Sequence, residues 1–215
     1  MTVNGKRVEY WWNMVAAIEN QLYSLEEYFE LELQSEERLE FWNGHVWSMA
    51  GASPIHERIV SNAIFHLRTL LGRRCSVLGS NLRVNVPAYG PYRYPDLSVF
   101  CGEGIYKKIG GIDALTNPEV LIEVLSPKTE SFDRGDKFIL YKSIPSLKEY
   151  LLISTTRPSI VQLIKGTDND WIQRDASGFE ARLQLPSMNV ELLLSDIFLD
   201  IKFPDPKSDL FLVAQ

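Results

Sequence analysis

Apolar side chains recur at Ile55, Ile59, Val60, Ala63, Ile64, Leu67 and Leu71, the spacing of one helix face, and the run stops at Gly72. Ser53-Pro54 just before it supplies an N-cap and a first-turn proline. This is the strongest helical pattern in the chain. Upstream, residues 38–42 and 45–49 read as strands separated by Asn43-Gly44, the pair that best tolerates the positive backbone angles of a tight hairpin turn. Further upstream, Ser24-Leu25-Glu26-Glu27 has the capping-box pattern and predicts a helix through about Gln34.

Beyond Gly72 the pattern turns strand-like. Strands are expected at residues 75–78, 82–86, 97–101 and 120–125, a helix at 132–143, and a strand at 150–154. Residues 160–165, 171–174 and 181–185 read as further short strands, and Ser195 caps a brief turn of helix at Asp196-Ile197-Phe198. The order, α and then mostly β, predicts an α/β (α+β) fold with helices packed against a mixed sheet. Neither repeats nor low-complexity linkers divide it. Residues 1–21, with Trp11, Trp12 and the alternative start Met14, read as an appendage to a domain of residues 22–200, and residues 201–215 as a tail.

With 215 residues and 45% hydrophobic content the chain supports one sizeable core. It has no apolar run near the roughly 18–20 residues of a membrane span and no basic segment leading into an apolar signal core, so a cytoplasmic protein without a membrane partner is expected. Cys75 and Cys101 lie in strand-like apolar sequence and are expected as reduced core residues. A net charge of −6 argues against a protein that coats nucleic acid nonspecifically, because that affinity needs clustered Lys and Arg. It does not exclude a nuclease, since 22 basic residues remain and a metal ion supplies positive charge where acids cluster.

Glu123 is the sharpest anomaly. It interrupts Val120-Leu121-Ile122-Glu123-Val124-Leu125, and alternation places it on the face of Leu121 and Leu125. A carboxylate buried there needs a cation, strong donors or an opening to solvent. The plain alternative is a strand-end glutamate paired with an Arg or Lys. Asp96 follows Pro95 at the start of another apolar strand, where the plain alternative is a turn aspartate. Together the two carboxylates, on neighbouring strands, suit Mg²⁺, which prefers oxygen ligands and keeps several waters. Such an ion polarises a phosphodiester.

Several ordered motifs accompany this pair: Tyr94-Pro95-Asp96, Ile122-Glu123-Val124-Leu125-Ser126-Pro127-Lys128-Thr129, Asp133-Arg134-Gly135-Asp136-Lys137 and Glu149-Tyr150-Leu151-Leu152. With Glu40-Phe41-Trp42-Asn43-Gly44 and Ser53-Pro54-Ile55-His56, they resemble the Uma family of restriction endonucleases, a branch of the PD-(D/E)XK nuclease superfamily, over about residues 22–200. The resemblance implies a restriction-endonuclease-like core in which Asp96 is the acid of the Pro-Asp element and Glu123 that of the Glu-x-Lys element. Leu125 stands where the superfamily usually keeps its lysine. In this branch that lysine moves to the following helix, and Lys137 fits the position.

Lys137 is four residues from both Asp133 and Tyr141, so on a helix the three share a face; the alternative is a solvated Asp–Lys pair. Glu40 is a candidate third acidic ligand or, alternatively, an exposed hairpin charge. His56, Lys128 and Tyr141 are candidate substrate contacts, although a histidine at a helix start is often a structural donor. No Cys/His zinc pattern is present. The resemblance thus implies a Mg²⁺- or Mn²⁺-dependent endonuclease with DNA as substrate, working as a homodimer because duplex strands are related by a two-fold axis. The alternative is a catalytically silent nuclease fold that binds nucleic acid or a protein partner.

Overall fold

The computed structural model describes residues 22–203 except 50, 89 and 128, together with the backbone of the antiparallel pair β1 (Thr2–Val3) and β2 (Lys6–Arg7). Trp11, Trp12, Met14, Lys128 and the tail after Phe203 lie outside the described residues. Helix α1 (Leu25–Gln34) begins as its sequence predicts: the Ser24 hydroxyl accepts the Glu27 amide while the Glu27 carboxylate accepts that of Ser24. Strands β3 (Leu39–Trp42) and β4 (His45–Ser48) form the hairpin, with Asn43 and Gly44 at φ 50° and 83°. Helix α2 (Pro54–Leu71) starts at the Ser53 cap and ends at Gly72, where φ is 58°.

Strands β5 (Cys75–Gly79), β6 (Arg83–Asn85), β7 (Tyr92–Arg93) and β8 (Leu97–Cys101) follow. Next come the hairpin β9 (Tyr106–Ile109) and β10 (Ile112–Leu115), then β11 (Val120–Leu125). Helices α3 (Glu130–Arg134) and α4 (Asp136–Tyr141) lead to β12 (Glu149–Ser154), β13 (Ser159–Lys165) and β14 (Trp171–Ser177). A final hairpin of β15 (Arg182–Leu185) and β16 (Val190–Leu193) runs into α5 (Leu194–Ile197). The central sheet has the order β14-β13-β12-β11-β8-β5, and a second sheet has the order β7-β6-β10-β9.

The mixed sheet follows from its connections. Strand β11 pairs antiparallel with β8 and parallel with β12, and the parallel pair needs the crossover that α3 and α4 supply. Every β11 residue is buried because the two faces meet different layers. Val120, Ile122 and Val124 pack with Ile59, Ala63 and Leu67 of α2, whereas Leu121 and Leu125 pack with Phe138, Leu140 and Tyr141 of α4. Glu123 takes the second face, as alternation requires. Core packing continues through Ile201, with Phe203 against it. Among the described residues no helix is long and apolar enough to cross a membrane.

Two expectations change. The helix expected at 132–143 breaks at Gly135, whose φ of −104° and ψ of −97° are not helical, so α3 and α4 are separate short pieces. Cys75 and Cys101, expected as reduced thiols, form a disulfide. They are directly opposed in the antiparallel β5–β8 register with Cα atoms 3.9 Å apart, a proximity that only strand pairing creates.

Candidate active site

Register brings the two acids together. Ile122 of β11 faces Leu97 of β8 in the last pair of this antiparallel ladder, and Glu123 and Asp96 are the residues that adjoin that pair. Asp96 Oδ2 accepts the Val124 amide at 2.7 Å, which ties the acid to the strand that carries Glu123. The same oxygen meets His56 Nε2 at 3.1 Å. His56 lies in the first turn of α2, with its amide on the Ser53 cap, so the Ser-Pro helix start aims the ring at Asp96. His56 thus takes the structural-donor role that stood as the alternative to a substrate contact.

Behind Asp96 the charges are buried. Glu123 Oε1 receives Lys137 Nζ at 2.8 Å and the Tyr141 hydroxyl at 2.8 Å. Lys137 Nζ also reaches Asp133 Oδ1 at 3.5 Å, so the shared helical face of Asp133, Lys137 and Tyr141 survives the break at Gly135. The solvated Asp–Lys alternative is excluded by burial, since both side chains are only 5% exposed. Glu40, for which an exposed hairpin charge was the alternative, is buried too; its Oε1 accepts the Tyr94 amide at 3.1 Å. Tyr141 is fully buried and donates to Glu123, so it positions that acid and does not present itself to a substrate.

Electrostatics record a surplus of acids. Burial pushes the Glu123 carboxyl well above the usual range; Lys137 opposes this, while the like charges of Asp96 and Asp133 add to it. Desolvation works against the Lys137 ammonium, but Glu123, Asp133 and Glu40 outweigh it and hold its pKa well above the ordinary lysine value. The two directions oppose each other, since a raised Glu123 favours a neutral carboxyl. An ammonium at 2.8 Å and a hydroxyl donor on the same oxygen favour the carboxylate, with Lys137 as its counter-charge. Burial likewise raises Asp133, against Lys137 and a Thr129 hydrogen bond. For His56, burial lowers the pKa, yet the bond to Asp96 and the charges of Asp96, Glu57 and Asp133 leave it raised.

Sequence reasoning missed Arg93. Its side chain is fully buried, and Tyr141 feels its charge. The available signal was alternation in Tyr92-Arg93-Tyr94, which sends Arg93 to the face opposite the two tyrosines.

A central mixed sheet in which a Pro-Asp strand runs antiparallel to an acid-bearing strand, with a lysine returned by the crossover helix, defines the restriction-endonuclease-like nuclease fold. The chain belongs to the Uma2 family, described as "Putative restriction endonuclease", which it matches over residues 25–195. It is 33% identical over 181 residues to the Synechocystis protein slr1290, covering 84% of this chain and 93% of that protein. It is 30% identical over 178 residues to sll1609 of the same organism, covering 82% of this chain and 100% of that protein. The fold is shared with a crystal structure described as a putative nuclease belonging to DUF820 from Anabaena variabilis. The TM-score is 0.65 at 19% identity, covering 81% of this chain and 97% of that one.

Proposed function

We propose that the protein is a Mg²⁺- or Mn²⁺-dependent endodeoxyribonuclease in which Asp96 and Glu123 hold the metal. One observation carries the reading: two carboxylates that adjoin the last β8–β11 pair and feel each other's charge, inside a cluster where acids outnumber their buried counter-charges. The donor set fits a hard cation, because both contributors are carboxylates and their mutual repulsion favours a positive ion. Among the described residues no three His, Cys, Asp or Glu side chains form a ready ligand group, so the two acids would share the ion with waters, as Mg²⁺ prefers. Such an ion would supply positive charge to a phosphodiester and to its hydrolytic water.

The chain's own residues have distinct tasks. His56 donates from Nε2 to Asp96 and, with the Val124 amide, fixes that carboxylate in one orientation. Tyr141 does the same for Glu123. Lys137, held by Glu123 and Asp133, offers an ammonium to the negative charge that grows on a phosphate under attack. Leu125 leaves the usual lysine position apolar, and α4, packed on that same face of the strand, delivers the amine instead.

Purified protein with Mg²⁺ or Mn²⁺ is expected to nick or cut DNA, and Asp96→Ala to reduce cutting to background. Cutting that survives this substitution rejects the assignment. Sedimentation at assay concentration checks the accompanying homodimer, which a monomer there would reject.

A further inference from the structure

Arg93 is a buried guanidinium without a matching acid. It is 0% exposed. Its Nη1 donates to the Tyr92 carbonyl at 2.8 Å, while Nε and Nη2 are buried without a hydrogen-bond partner among the described residues. Buried donors in folded proteins are nearly always paired, and an unpaired guanidinium is among the costliest exceptions. The other buried arginine of this region, Arg83, leaves only Nη1 unpaired and has Glu32 against its charge, whereas Arg93 leaves two nitrogens unpaired.

Its surroundings show what is missing. The Arg93 Cζ lies 5.6 Å from the Trp42 ring centroid, a contact that steadies the cation without satisfying its N–H groups. Gly90, at φ 151°, runs alongside, where a Cβ would stand 3.5 Å from Nη1. Trp42 in turn packs against the cluster of Leu121, Leu125 and Tyr141 on the Glu123 face of β11, and this places Arg93 in the layer that holds that acid. A planar fork with two unpaired donors fits the non-bridging oxygens of a phosphate better than a carbonyl or a water does.

We propose that Arg93 is a phosphate-recognition group, its guanidinium taking the non-bridging oxygens of a phosphate bound beside the Asp96–Glu123 pair. The assignment of that phosphate to a nucleic-acid backbone rests on the nuclease reading; binding of the anion itself does not. The test therefore excludes metal and turnover.

The full-length chain is melted in EDTA with inorganic phosphate, or with a short single-stranded oligothymidylate, against sodium chloride of equal ionic strength. At roughly ten times Kd, the wild-type midpoint should rise by about 3–6 °C. Arg93→Met should lose this rise while melting in chloride at or above the wild-type temperature, because an unpaired buried charge has been removed. Arg93→Lys keeps the charge without the fork and should show a smaller rise. A response to the oligonucleotide alone assigns the group to backbone phosphate, one to inorganic phosphate alone to the free ion, and one to both to their shared chemistry. No response in the wild type, or an undiminished one in Arg93→Met, overturns the proposal. Should Arg93→Met fail to fold, an undiminished response in Arg93→Lys overturns it and a reduced one supports it. Wild-type protein that shows the phosphate response but, with Mg²⁺ or Mn²⁺, cuts no DNA would count against the nuclease reading alone.

Discussion

Two buried charged clusters sit within this domain and differ in their balance. In the first, Glu32 of α1 meets Arg83 of β6 at 2.5 Å, and Tyr94 bonds to both. The second Glu32 oxygen accepts the Leu39 amide at 2.8 Å, and Arg83 lies over the Tyr92 ring at 4.4 Å. One acid faces one guanidinium. In the second cluster Asp96, Glu123, Asp133 and Glu40 surround Lys137 and His56; burial raises the Glu123 and Asp133 carboxyls, Lys137 opposes the rise, and the neighbouring acids add to it. A buried charge therefore does not mark a functional site. On the proposed function, an excess of one sign is what separates the second cluster, because a bound cation would relieve it.

Disruption should separate the clusters, and the largest effect belongs to the balanced one. Glu32→Ala strands Arg83 and should cost about 3–5 kcal/mol of stability in urea titration. A cost under about 1 kcal/mol would break the distinction. The next effect belongs to the acid-rich cluster. Mn²⁺ at roughly 100 times Kd should add about 2.7 kcal/mol to the wild type, and Asp96→Asn should remove that gain while changing metal-free stability by less than about 1 kcal/mol. A gain that persists in Asp96→Asn places the ion elsewhere.

The smallest effect is a pH dependence at His56. Its folded pKa is raised above the ordinary value of about 6.5, so its contribution is fully present below that value and is lost as pH rises through the folded pKa. In EDTA, the stability difference between wild type and His56→Gln should be greater near about pH 5.5 than near about pH 8.5. A difference that grows with pH contradicts the His56–Asp96 contact.

What the sequence revealed depended on how local the governing chemistry was. The Ser24 capping box, the Asn43-Gly44 turn and the Ser53-to-Gly72 limits of α2 are each set by a few neighbouring residues, and each was legible. Glu123 was legible because a charge breaks an apolar strand pattern, and Lys137 because the family resemblance pointed to the following helix, where spacing aligned it with Asp133 and Tyr141. The hairpin of β9 and β10 was missed although Gly110-Gly111 supplies its positive φ values, because Lys107 and Lys108 interrupt the apolar alternation before it. The Cys75–Cys101 bond and the Asp96–Glu123 approach depend on which strands become neighbours, which local pattern does not determine. Arg93 was hidden because a strand arginine looks the same in sequence whether its fork meets water or the interior.

The bond from the Val124 amide to Asp96 Oδ2 has a further consequence for entropy. A carboxylate on a surface loop would surrender its rotamer freedom only when its ligand arrived, and the binding free energy would be smaller by that amount. Here the carboxylate is immobilised by the same event that seats β11 beside β8, so for the proposed ion the loss would fall on folding and not on encounter. Chain ordering and ligand ordering become one step, and the sheet cannot form at this end without also orienting the acid.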